Sequence, residues 1–150
     1  GCRMTLFTSP VSWPASWPSP QKLLDAAREA QRASYSPYSG FPVGAALFVE
    51  GMDDLILACN VENGSYGLSI CAERSAAVAM IARGGKKPLA AAVVGKRGEV
   101  CLPCGACRQF LAEFNPEMLL VFEQGDSFVV TTLAELFPAP FLLTEQSGER

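Results

Sequence analysis

Histidine is missing from all 150 residues. Its absence rules out Ser-His-Asp and Cys-His catalysis and every metal site that needs an imidazole. A transition-metal site in this chain must therefore be built from thiolates and carboxylates. Charge is also sparse: Asp, Glu, Lys and Arg make up 18% of the chain, with a net charge of −3 and a pI near 5.0. The longest cationic cluster is Lys86-Lys87, too short for the basic stripe that binds nucleic acid. No nucleic-acid partner is expected, and a small, neutral or weakly charged substrate fits better. No apolar run is long enough to span a bilayer, and no continuous apolar signal segment opens the sequence. No membrane partner is expected, and the expected location is cytoplasmic, where thiols stay reduced. No internal repeat is present.

What the chain does have is apolar material and cysteine. Hydrophobic residues make up 49%, enough for one compact domain with a core of its own at this length. The cysteines are Cys2, Cys59, Cys71, Cys101, Cys104 and Cys107. Three of them fall within seven residues, too close for an ordinary staple pattern, so metal binding is the better reading. Cys59 ends an apolar strand and reads as a buried thiol.

Residues 1–19 read as an irregular arm rich in Pro and Trp, since Pro10, Pro14 and Pro18 break any helix around Trp13 and Trp17. The single domain is expected over 20–150. Ser19 as N-cap and Pro20 at the first position start a helix over 20–34. Strands follow at 43–50 and 55–59 around a turn at 51–54, then a polar, glycine-containing loop at 60–69. The alanine-rich stretch 71–83 is a helix stopped by Gly84-Gly85. Residues 89–95 form a buried strand, 104–114 a helix, and 118–123 and 128–131 two more strands. Thr132 and Glu135 pattern as a capping box for a short last helix. The order αββαβαββα implies a three-layer α/β/α sandwich on a five-stranded mixed sheet.

The sharpest local signal is Cys71-Ala-Glu73 together with Pro103-Cys104-Gly-Ala-Cys107. Cys104 and Cys107 share one face of a helix start. Helix N-termini favour thiolate over thiol, so two such starts aimed at one point would make a trithiolate site. Three thiolates on Zn²⁺ leave a net charge of −1. Arg74 and Arg108 flank the ligands, and at least one is expected to donate to a ligand sulfur, the alternative being surface ion pairs for both. Catalytic zinc keeps three protein ligands and an open position. Glu73 reaches that position only if Cys71 sits at the helix cap with non-helical dihedrals, because two helical residues diverge by about 200°. Otherwise Glu73 merely complements the helix dipole. A rival set adds Cys101 through C-x-x-C-x-x-C, giving a closed structural zinc site or an iron–sulfur cluster.

Beyond these signals the chain resembles the cytidine deaminase family, in its small, homotetrameric, all-cysteine branch. The resemblance spans most of 20–141 and rests on four ordered motifs: Tyr35-Ser-Pro-Tyr-Ser-Gly-Phe-Pro-Val-Gly-Ala-Ala, Cys59-Asn-Val-Glu-Asn, Ile70-Cys-Ala-Glu-Arg and Pro103-Cys-Gly-Ala-Cys-Arg-Gln. The C-A-E and P-C-x-x-C pair also fits the general zinc deaminase signature. The resemblance implies one zinc ion on Cys71, Cys104 and Cys107, with Glu73 as the catalytic proton shuttle. It implies that Phe41 packs on a pyrimidine, that Asn60 and Glu62 hold ribose hydroxyls, and that the Ala72 backbone reads the base edge. Tyr66 lines the site or only packs its loop. Phe141 reaches into a neighbouring subunit's site. The expected reaction is hydrolysis of cytidine and deoxycytidine to uridine and deoxyuridine with release of ammonia, a step of pyrimidine salvage. The alternatives are deamination of a related aminopyrimidine, such as a nucleoside antibiotic, and a non-catalytic binding module stabilised by zinc on four cysteines. Two departures stand out: Gly64-Ser65 and Gly67 make the ligand loop small, and residues 4–18 have no counterpart in the family.

Overall fold

The computed structural model describes residues 11–143. The arm expected over 1–19 therefore lies partly outside the described residues, as does Cys2. Within the described residues nine main elements follow one another: α1 (Pro20–Gln31), β1 (Gly44–Val49), β2 (Ile56–Cys59), α2 (Ala72–Ala82), β3 (Pro88–Val94), α3 (Gly105–Ala112), β4 (Leu119–Gln124), β5 (Ser127–Thr132) and α4 (Leu133–Leu136). A single 3-10 turn, Tyr66–Leu68, interrupts the loop before α2. The expected element order holds. Differences lie at the ends: α1 stops at Gln31 rather than 34, and α2 and α3 each begin one residue after a cysteine that serves as N-cap.

One five-stranded sheet runs in the order β2-β1-β3-β4-β5. β3 and β4 are parallel and joined through α3, while the other neighbours are antiparallel. The period-2 alternation of the strands divides the core in two. Ala45, Leu47, Val49, Ala91, Val93, Leu120 and Phe122 pack under α2 and α3. Ala46, Ala90, Ala92, Val94, Leu119 and Val121 pack under α1, through Leu23, Leu24 and Ala27. Burying Leu23 and Leu24 stabilises the fold by about 2 kcal/mol each.

Alanines on the α1 side let that helix lie close, and Gly44 is where it touches. A Cβ at Gly44 would sit 2.0 Å from the Ala27 carbonyl oxygen. Residues 11–19 form no regular element, yet they are packed. Trp17 lies 5.4 Å from Phe48 between ring centroids and meets Trp13 edge-on at 5.6 Å. Trp13 Nε1 donates to the Pro18 carbonyl at 3.0 Å. The end of α2 follows its sequence signal. Gly84, at φ +89, takes the left-handed conformation that favours glycine, and Gly84 and Gly85 donate back to Ile81 and Met80 in a Schellman closure.

This topology gathers loops at one edge. Gly44, the first residue of β1, pairs with Cys59, the last of β2, and with Val94, the last of β3. Residues 41–43, 60–62 and 95 therefore emerge side by side.

Candidate active site

Both ligand-bearing helices begin in the way the site requires. Cys71 caps α2 with φ −77 and ψ 159, and Cys104 caps α3 with φ −67 and ψ 170. Neither is helical, so the condition for Glu73 to turn toward the same side as Cys71 is met. The Sγ atoms of Cys71, Cys104 and Cys107 all lie within 4.8 Å of one another. Cys107 is buried, Cys71 half-buried and Cys104 exposed, so the cluster opens to one side.

Cys71 and Cys107 have their sulfurs in direct contact, as a disulfide pair. Their Cα atoms are 7.5 Å apart, beyond the span of about 4.4–6.8 Å usual for disulfides. That backbone spacing suits two thiolates sharing an ion. Tetrahedral zinc with Zn–S bonds of ~2.3 Å holds its sulfurs roughly 3.8 Å apart, inside the spread of the three sulfurs. The donor set therefore fits zinc. Cys101 is not a member of this cluster; its sulfur instead packs against Gly95. Among the described residues the thiol group numbers three, so the rival four-cysteine reading is corrected: Leu102-Pro103 carries Cys101 away before α3 begins.

The two arginines divide the work. Arg74 Nε donates to Cys71 Sγ at 3.2 Å, and its Nη2 donates to the Ser69 carbonyl at 3.1 Å. Such a donor draws electron density from a ligand sulfur. Arg108 makes no bond to sulfur among those described. It donates to the carbonyls of Pro103 and Leu136, each at 2.8 Å, and so ties the end of α4 to α3.

Glu73 is 5% exposed. Burial raises its carboxyl pKa, opposed by its own backbone N–H and by the Arg74 charge. Its carboxylate also lies near enough to Cys101 to help raise that thiol, which burial pushes up to about 11. Glu73, Cys101, Gly95 and Phe41 thus form a contiguous set. A Cβ at Gly95 would lie 3.0 Å from Phe41 Cζ and 3.1 Å from Cys101 Sγ.

Phe41 is 46% exposed, so its ring is not part of the core. Its backbone is held at both ends: its N–H donates to Ser39 Oγ at 3.0 Å, and its carbonyl accepts from Asn60 Nδ2 at 3.0 Å. Asn60 Oδ1 accepts from Val43 N–H at 2.9 Å and from the Ser34 hydroxyl. Most of the Asn60 amide is therefore spent on placing the segment that carries Phe41. Glu62 Oε1 accepts from the backbone N–H groups of Tyr38 and Ser39 at 2.9 and 3.1 Å. The Ser39 side chain and N–H, and then the Tyr38 N–H, hold its carboxyl below the usual range against the opposing effect of desolvation.

Glu62 lines a cleft of about 280 Å³ with Tyr38, Ser39, Tyr66 and Ser69. Tyr38 and Tyr66 meet edge-on at 5.7 Å, and a Cβ at Gly64 would come within 3.1 Å of the Tyr38 hydroxyl. The small loop thus makes room for the Tyr38 side chain. Ala72 is buried at the first position of α2, where its backbone N–H has no intrahelical acceptor. Phe141 lies beside α3, bonded to Gln109, and is 65% exposed.

Sequence reading alone missed Ser34, Ser39, Gln31 and Gly95. Gln31 Nε2 donates to the carbonyls of Pro42 and Gly95, at 2.9 and 2.8 Å. Only the polar character of the first motif hinted at Ser39, and Ser34 stands just before that motif.

The sequence pattern described as "Cytidine and deoxycytidylate deaminase zinc-binding region" matches residues 18–123. The cytidine deaminase of Mycobacterium tuberculosis is 40% identical over 124 residues, covering 83% of this chain and 90% of that protein. The cytidine deaminase of Halalkalibacterium halodurans is 41% identical over 124 residues, covering 81% and 92%. The crystal structure of cytidine deaminase from Burkholderia pseudomallei superposes with a TM-score of 0.75 at 40% identity, covering 81% of this chain and 98% of that one. With three thiols converging at two helix caps beside a buried glutamate, and with matches of this extent, the chain belongs to the cytidine and deoxycytidylate deaminase zinc-binding family.

Proposed function

We propose that this protein hydrolyses cytidine and deoxycytidine to uridine and deoxyuridine with release of ammonia. The observation that carries the reading is the three-cysteine cluster, open to one side, at the N-terminal ends of two helices, with buried Glu73 two residues from one of the cysteines. Cys71, Cys104 and Cys107 would hold one zinc ion. When bound, zinc supplies the Lewis acidity that makes water nucleophilic near neutral pH.

The remaining work belongs to the chain. Glu73 takes a proton from the attacking water and delivers it to N3 of cytosine as the C4–O bond forms. The tetrahedral C4 then collapses: the C4–N4 bond breaks, and Glu73 passes the remaining hydroxyl proton to the departing amino group, which leaves as ammonia. Burial raises the pKa of this carboxyl, which favours its holding the proton between the two transfers. Phe41 offers an aromatic face to the base, and Tyr66 closes the sugar side. Glu62 and the remaining Nδ2 hydrogen of Asn60 meet the ribose hydroxyls. The backbone N–H of Ala72 reads the base edge. Phe141 serves the site of a neighbouring copy in a homotetramer. The reaction places the enzyme in pyrimidine salvage, in a cytoplasm that keeps its thiols reduced.

The alternatives are weaker. A closed four-cysteine module needs Cys101 in the cluster, and the sulfur lies elsewhere. Relatives at about 40% identity carry the name cytidine deaminase, which favours an ordinary nucleoside over an antibiotic.

The test is direct. Purified protein mixed with cytidine should lose cytosine absorbance and release equimolar ammonia. Glu73→Ala should keep its zinc and lose nearly all turnover. Full activity in that variant would remove Glu73 from the mechanism, and absence of turnover by the zinc-loaded native protein would remove the reaction.

A further inference from the structure

We infer that Gln109 is a positioning residue: its side-chain amide fixes the Phe141 ring in the place from which a second copy of this chain receives it. The inference rests on the reading of Phe141 given above and adds the device that makes it work.

The geometry is specific. Gln109 Nε2 donates to the Phe141 carbonyl at 2.8 Å, and Phe141 N–H donates to Gln109 Oε1 at 3.0 Å. Donor and acceptor of one amide thus meet acceptor and donor of one residue, as a neighbouring strand would. No strand is there to do it: residues 137–142 follow α4 without regular structure. Pro138 and Pro140 stiffen this stretch by fixing φ, and they contribute no N–H. Arg108, the adjacent residue of α3, holds the Leu136 carbonyl at the start of the same stretch. The segment is therefore fastened at both ends to the helix that carries Cys107.

What the clamp secures is not a core residue. Phe141 is 65% exposed. Ordering a long Gln side chain costs conformational entropy, and a half-exposed clamp returns little stability to the single chain. Holding a large apolar ring in water brings the single chain no burial either. The arrangement gains its benefit when the ring enters an apolar pocket already oriented, since preorganisation lowers the ordering cost of binding. Gln109 lies two residues beyond Cys107, so the helix that helps hold the metal in one copy also aims the ring offered to the next.

The test uses the zinc-loaded full chain and four variants. Gln109→Met keeps the length of the side chain and removes both strong hydrogen bonds. Its KM for cytidine should rise about fivefold or more, the scale of losing one or two such bonds, with kcat changing less. Zinc content and oligomeric mass should match the native protein, and the Phe141 amide should exchange faster with deuterium. Gln109→Glu keeps the acceptor and loses the donor, and should fall between. Phe141→Ala should raise KM at least as much, and the double variant Gln109→Met/Phe141→Ala should be no worse than Phe141→Ala alone. If Phe141→Ala raises KM while both Gln109 variants leave it unchanged, or if the two effects add, the clamp is refuted and the role of the ring stands. If Phe141→Ala itself leaves KM unchanged, the reading of the ring falls and the clamp with it.

Discussion

Replacing Gly95 by alanine should damage substrate binding far more than folding. The added Cβ would stand 3.0 and 3.1 Å from Phe41 Cζ and Cε1 and 3.1 Å from Cys101 Sγ, so those neighbours must shift by several tenths of an ångström. Phe41 is the one free to yield, because nearly half of it faces solvent while Cys101 is packed into the core edge. Overpacking costs about 1–3 kcal/mol, and the low end applies where an exposed ring can swing away. For a domain of this size each kcal/mol shifts Tm by about 2–4 °C. The expected loss is therefore a few degrees. Binding suffers differently, since aromatic stacking on a base contributes about 1–3 kcal/mol. Losing about 1–2 kcal/mol of it raises KM for cytidine roughly five- to thirtyfold. The assay is steady-state kinetics on zinc-loaded protein beside a thermal melt. Gly44→Ala is the contrasting control. There the new Cβ meets the Ala27 carbonyl oxygen at 2.0 Å and the Gln31 backbone nitrogen at 2.7 Å, and backbone cannot swing aside. That variant should lose more than ten degrees or fail to fold. A folded Gly95→Ala protein with native KM would refute the placement of Phe41 against the base.

Arg74→Ala removes the donor to Cys71 Sγ and should cost about 10–100-fold in zinc affinity or turnover; chelator competition and kcat measure both, and native values for both would show that the contact is idle. Arg74→Lys should not restore them, because a single ammonium lacks the planar fork that reaches Ser69 and Cys71 together. The Glu62 carboxyl is held below the ordinary range by Ser39 and Tyr38, so its contacts to those N–H groups are present above the unfolded pKa and vanish as pH falls through the folded one. KM should accordingly stay level from pH 8 down to about 5, above the ordinary glutamate value of ~4.3, and rise at more acid pH; a steep rise between pH 7 and 6 would contradict this. Stability measured over the same range should follow the same direction, with the loss on the acid side.

Much of the site is legible in the sequence, for local reasons. Cys71 and Glu73 are two residues apart, and Cys104 and Cys107 are three apart, so helix geometry alone relates the members of each pair. The requirement that Cys71 be a cap follows from that geometry, and the dihedrals meet it. Asn60 was harder. Its residue type suits a hydroxyl ligand, but its amide mostly serves the backbone of 41–43, a use that depends on which loop lies opposite. The choice between Arg74 and Arg108 was equally open, because both flank ligands in sequence. α3 begins after Cys104, and its Arg108 turns toward the closing segment of the chain instead.

The amino-acid order by itself determined the elements, the mixed sheet and the two halves of the metal site. Proline, glycine and apolar periodicity act over a few residues, and the thiols within each half are neighbours along the chain. Only the tertiary structure decided what depends on distant segments meeting. It brought Cys71 to the pair on α3 and kept Cys101 out. It laid α1 against the Cα of Gly44, and it set Phe41 and Cys101 around Gly95. The reason is physical: a close approach between two segments leaves no mark on either one, except that the residue between them has no side chain.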